Sequence, residues 1–230
     1  MAMGDGFSPG PIAGGQGPDE GAGGPVLRLL ARGLELWLRQ QCEAIDDLQI
    51  QLEGSAVQLV RGRLEGVRLQ ARGVVFQQLR FERVELRSAP MQVRMGALLR
   101  SQTFRLDHPF EITGSVVFSA EGLSGSLTAP PWNALGDALA EELLGRSPLV
   151  GLRLEGDRLI LCGSPVAQQP LERPTRLLIE EGALVLQAVE DGPEGVANVA
   201  RLPRDANIHV ERAQVGDGAL ELQGRARVST

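Results

Sequence analysis

The sequence predicts an α+β fold: a strongly curved antiparallel sheet wrapped around an N-terminal amphipathic helix, with a second helix closing one end. Three observations predict it. A helical period runs from Val26 to about Cys42. After Asp46-Asp47 the period switches to two, and hairpin-like units repeat toward the C-terminus. Between these stretches, Pro130-Pro131 precedes a second helical pattern that stops at Gly145.

The first helix has an unusual cross-section. Polar residues fall at Arg28, Arg32, Glu35, Arg39 and Glu43, which form one narrow stripe. Leu27, Leu29, Leu30, Leu34, Leu36, Trp37 and Leu38 occupy most of the rest. A helix lying on one sheet needs an apolar arc of only about 100° or a little more. An arc this wide implies a helix embraced on several sides, or one lying in a membrane interface.

In the strands, Leu48, Ile50 and Leu52 alternate with Gln49, Gln51 and Glu53, and Val67, Leu69 and Ala71 with Arg68, Gln70 and Arg72. Leu79 and Phe81 continue the pattern until Arg83 breaks phase before Val84 and Leu86, which predicts a β-bulge. Met91, Val93 and Met95 resume the alternation. One face of this meander is dry and the other wet. In the second helix Trp132, Leu135, Leu139 and Leu143 share one face, and Asn133, Asp137 and Glu141 the other. Three hairpins follow, turning at Gly156-Asp157, at Glu181-Gly182 and at Gly216-Asp217-Gly218, with an exposed loop expected from Glu190 to Arg204. Residues 1–25 are Gly/Pro-rich and read as a disordered leader, which leaves 26–230 as a single domain.

Composition excludes several functions. Aromatics make up 3% of the 230 residues and Tyr is absent, which argues against a stacking surface for single-stranded nucleic acid. The net charge of -6 argues against duplex DNA, so no nucleic-acid partner is expected. All 23 basic residues are Arg, a composition bias rather than a functional signal. Cys42 and Cys162 are too few and too far apart for a disulfide framework or a zinc site, and buried free thiols are expected. His108 and His209 lie far apart and read as solvated; no metal-ligand spacing or phosphate-cradling loop is present, so no metal or cofactor is expected. Gly6-Phe7-Ser8-Pro9-Gly10 matches a nucleophile-elbow pattern but lacks the strand and helix the elbow requires. The pairs Glu141-Glu142 and Glu180-Glu181 fall on an exposed helix side and a turn. The chain is not expected to be an enzyme. Without an apolar stretch near its N-terminus or a membrane-spanning run, it is expected in the cytoplasm, peripheral on the cytoplasmic face of a membrane.

Several motifs carry a family resemblance. They are Leu36-Trp37-Leu38-Arg39, Asp46-Asp47-Leu48-Gln49-Ile50, Arg61-Gly62-Arg63-Leu64-Glu65-Gly66-Val67, and the run from Gly114 through Phe118-Ser119-Ala120-Glu121-Gly122 to Leu123. Through them the chain resembles the bacterial LmeA-like phospholipid-binding family, in its signal-less branch. Where that family carries Asp and Asn near the end of the last motif, Gly122 and Ser124 stand here. A capping box from Ser119 thereby loses its acidic member, which weakens the short helix expected there. The resemblance implies non-catalytic binding of a phospholipid or similar amphiphile at a membrane surface, and the predicted architecture is similar to the elongated tubular lipid-binding folds.

Two sets of residues follow as candidates. An acyl chain would lie between the first helix and the dry face, against Leu30, Leu34, Trp37, Val67, Leu69, Phe81, Val84 and Leu86. Anionic headgroups would meet Arg68, Arg72, Arg80, Arg83, Arg87 and Arg94, since residues 57–105 hold ten arginines against three glutamates. Two alternatives stand beside these. The arginines also fit a solvated sheet face paired with Glu82 and Glu85. A structural or scaffolding protein with a filled core and no ligand uses the same residue types as a lipid groove.

Overall fold

The computed structural model describes residues 25–55, 57–58, 61–92, 109–189 and 198–228. The leader expected over 1–25 lies outside these, save for Pro25, which opens helix α1 (Pro25–Gln41) at the position where proline costs no hydrogen bond. Strands β1 (Asp47–Glu53), β2 (Arg63–Leu64), β3 (Gly66–Phe76), β4 (Leu79–Ser88), β5 (Met91–Gln92) and β6 (Phe110–Ser119) follow. Next come helices α2 (Ala120–Leu127) and α3 (Asn133–Leu144). Then β7 (Leu149–Glu155), β8 (Arg158–Val166), β9 (Gln169–Glu180), β10 (Ala183–Ala188), β11 (Val199–Arg201), β12 (Ile208–Gly216) and β13 (Ala219–Val228) complete the chain.

The fold is α+β, with antiparallel pairing in every ladder and three helices among the described residues. The strands divide between a six-stranded sheet, β1-β3-β4-β6-β13-β12, and a five-stranded meander, β11-β10-β9-β8-β7. Strands β2 and β5 form a separate two-stranded ribbon. None of the sheets closes on itself. The division into two large sheets departs from the single sheet expected. Alternation fixes which side of a strand is dry, but not which strands share a sheet.

Helices α2 and α3 join the two large sheets. Together with Phe118 and Leu220 of the first sheet and Leu161 and Leu186 of the second, Leu123, Leu139 and Leu143 form the largest core. Ser119 caps α2 alone, its hydroxyl accepting from the Gly122 amide at 3.1 Å, so the helix survives without the missing acidic member. Ser126 Oγ accepts from the Arg80 amide at 3.0 Å and donates to the Gly122 carbonyl at 2.7 Å, tying α2 to β4. On the other side, Ser124 Oγ accepts from the Leu152 amide and Asp137 Oδ1 from the Leu149 amide, each at 3.0 Å. Asp137 thus leaves the solvated face expected for it. Gly145, at φ 68°, ends α3 where the sequence placed the stop.

Two expectations about irregularity fail. No bulge occurs at Arg83: Arg72 pairs with Arg83 and Val74 with Phe81 in unbroken register. The intervening Gly73 absorbs the phase change at φ +58°, and a Cβ there would collide with the Asp46 carboxylate. The bulge of this sheet lies instead in β12, where Glu211 is the extra residue between Val210 and Arg212. The loop expected from Glu190 to Arg204 contains β11, whose Ala200 is wholly buried against Leu186. Residues 190–197 of that loop lie outside the described residues.

Candidate lipid-contacting surface

Helix α1 lies against the β1 side of the six-stranded sheet, with Leu27, Leu30 and Leu38 turned toward the strands. Leu27 is buried against Leu64, with Leu30, Leu52, Val67 and Met91 packed around them. Farther along, Leu38 and Cys42 pack with Leu48, Ala71, Val74 and Val84. Arg39 holds the helix end, donating to Glu35 Oε1 at 3.3 Å and to the Ile45 carbonyl at 3.0 Å. The embrace on several sides is absent. Leu29 is 65% exposed, Leu36 61% and Trp37 36%, so the outer part of the apolar arc faces away from the sheet.

The eight acyl-chain candidates are divided by this geometry. Leu30 and Val67 belong to the cluster under the start of α1, and Leu69, Phe81, Val84 and Leu86 to the one under its end. Phe81 also stacks on Phe118, ring centres 4.7 Å apart, which links it to the largest core. Leu34 is half-buried, and Trp37 sits on the outer side. The dry face is only partly covered. Ile50, Leu69 and Leu86 align across β1, β3 and β4, Ile112 and Leu222 share their face farther along the sheet, and each keeps some exposure. At the end of the sheet a cavity of about 460 Å³ is lined by Leu64, Pro90, Met91, Pro109 and Phe110, with Arg63 and Glu65. Sequence reasoning missed these residues, because the β2–β5 pairing that gathers them joins strands of two residues each.

Among the headgroup candidates, Arg68 and Arg87 stand directly opposite each other on β3 and β4. Like charges so placed repel. Glu53 resolves the conflict, with its carboxylate 3.2 Å from Arg68 and 2.8 Å from Arg87. The hydrogen bond from Arg87 leads in holding the Glu53 carboxyl below the usual carboxylate range. Arg83 approaches Glu85 at 3.8 Å, whereas Arg72 and Arg80 form no ion pair among the described residues. Arg94 lies outside the described residues. A second cavity, about 480 Å³, opens on this wet face between Arg68, Arg87, Gln70, Glu85, Thr113 and Ser115, and the β12 bulge delivers Glu211 to it. Its lining is too polar for an acyl chain. Glu53 had a sequence signal, since it follows Gln49 and Gln51 in phase, but its charge partners depend on β1 pairing with β3.

Little else gathers reactive groups. Cys42 and Cys162 are free thiols, both pushed up in pKa chiefly by burial. His209 is half-buried beside Gly182, where a Cβ would collide with its ring; His108 lies outside the described residues. Among the described residues, no group of three or more His, Cys, Asp or Glu side chains is placed to hold a metal ion. No helix among them is long and apolar enough to cross a membrane.

Comparison with curated proteins and with solved structures returns no match. The family comparison does. The model of the LmeA-like phospholipid-binding family matches residues 21–225, nearly the whole chain, and the protein belongs to that family.

Proposed function

We propose that the protein binds a phospholipid without catalysing a reaction on it, peripherally at the cytoplasmic face of a membrane. The acyl chains lie along the dry face of the six-stranded sheet and run toward the cavity beside Met91 and Phe110. The observation that carries this reading is the incomplete cover of that face at Leu69, Leu86 and Ile112. Family membership supports the ligand class. Burial of one CH₂ contributes about 0.8 kcal/mol, so a chain of about sixteen carbons offers roughly 13 kcal/mol gross. Association costs of about 4–15 kcal/mol oppose it. Magnitude permits binding, and shape decides it. The wet-face arginines stand on the opposite side of the sheet from the acyl chains, and in this reading they contribute at most long-range steering toward an anionic membrane without touching it.

Native mass spectrometry of gently purified protein tests the reading, with an adduct of phospholipid mass as the expected result. Leu86→Trp, which adds bulk to a half-buried position, abolishes the adduct while the far-ultraviolet circular dichroism stays that of the native fold. Wild-type protein that carries no lipid, and takes none from vesicles, sinks the reading in favour of a scaffold with a filled core.

A further inference from the structure

The outer side of α1 carries two features side by side. Leu29, Leu36 and Trp37 lie on one flank at helical spacing, and Gly33 between them has nothing within 4 Å of where a Cβ would stand. Arg28, Arg32, Glu35 and Arg39 form the adjacent stripe. Glu35 is paired with Arg39 at 3.3 Å, and neither Arg28 nor Arg32 forms an ion pair among the described residues. The wet sheet face differs, because Glu53 and Glu85 already engage three of its arginines.

We propose that the outer flank of α1 is a docking surface for an anionic phospholipid bilayer, with Leu29 and Leu36 entering the interface and Arg28 and Arg32 meeting the headgroups. This rests on the reading of the protein as a peripheral phospholipid binder and names the surface it uses. An exposed apolar stripe beside a cationic stripe is the form of a helix that lies in the plane of a membrane. Charge selects the occupant. Two unpaired arginines repel a cationic partner and gain about fivefold each in affinity near an anionic surface. The helix does not have to rearrange to dock, since burial of Leu27 against Leu64 and the Arg39 bond to the Ile45 carbonyl fix which side faces out. Docking there also sets the bilayer on the same side of the sheet as the dry face.

Cosedimentation of the full chain tests this, using vesicles of phosphatidylcholine alone and of phosphatidylcholine with phosphatidylglycerol. Binding is expected at least about tenfold stronger to the anionic vesicles, weakening as salt rises. Leu29→Gln with Leu36→Gln, and separately Arg28→Gln with Arg32→Gln, each lower it about tenfold or more. Equal binding to both vesicle types, or unchanged binding by the double leucine variant, overturns the proposal. So does a wild-type dimer that this variant converts to monomer, since a second copy then covers the stripe. A drop of several degrees in that variant's Tm overturns it too, because other parts of the chain then cover the leucines. The lipid adduct is read separately: the double leucine variant keeps it. If wild-type protein docks but carries no lipid, docking stands and the lipid-binding reading fails.

Discussion

The two large sheets alternate apolar and polar residues in the same way but use their dry faces differently. The five-stranded sheet is sealed: Leu161, Leu143 and Ala200 have no exposed surface, and α2 and α3 fill the space between it and the near end of the other sheet. Toward β1, α1 is the helix that lies across the six-stranded sheet among the described residues, and Leu69 and Leu86 stay partly open. A pattern of alternating residues therefore specifies a face that must be covered but not what covers it. Among the described residues, one end of the molecule covers its dry face more fully than the other.

The largest effect should come from truncating a residue on each side of this divide. Leu161→Ala is expected to cost about 2–5 kcal/mol, the range for a fully buried leucine. Leu86→Ala should cost about 1 kcal/mol or less, because its site is already half open. Urea unfolding of both variants measures the difference, and equal losses would mean that the two faces are equally well packed. Of intermediate size is Ser126→Ala at the joint, where the Arg80 amide and the Gly122 carbonyl each lose a bond. That change should cost about 1–3 kcal/mol. If unfolding splits into two transitions in this variant, the joint is what makes the sheets unfold together.

The smallest effect concerns pH. Glu53 on one sheet and Glu172 on the other are both held below the usual carboxylate range, by hydrogen bonds from Arg87 and Arg153 respectively. A depressed carboxyl stabilises the fold above its unfolded pKa, and that contribution disappears as pH falls through the folded value. The loss therefore begins below about pH 4.3. Glu53→Gln and Glu172→Gln should each flatten the acid limb of a Tm-against-pH curve. Glu172 is exposed and Glu53 only half-buried, so the change is small. An unaltered acid limb in both variants would show that neither ion pair adds stability.

Much of the local structure was legible. The three hairpin turns, the first strands and the stop at Gly145 all follow from residue types whose backbone preferences act within a few positions. What escaped was set by distant parts of the chain. Val199–Arg201 looks like loop because three residues are too few to show a period, and only its place beside β10 makes it a strand. The phase break at Arg83 predicted an extra residue in β4, whereas Gly73 on the neighbouring strand absorbs it. The surface of α1 was half legible. Its wide apolar arc was plain, but which leucines turn inward depends on Leu64 and Met91, brought together by a ribbon that periodicity cannot detect. The family was legible because its motifs are local.

Strand β7 forms one border of the five-stranded sheet, and such borders are templates on which a foreign strand can add. Its Val150 is 57% exposed, an apolar side chain on an open margin. Yet the amides of Leu149 and Leu152 are already taken by Asp137 and Ser124, and the pairing with β8 slips at Val150 itself. An incoming strand finds donors that are occupied and a backbone out of step. The contacts that join the two sheets thus also block runaway edge-to-edge association, and a helix turn that left β7 would uncover a nucleus for aggregation before it unfolded anything else.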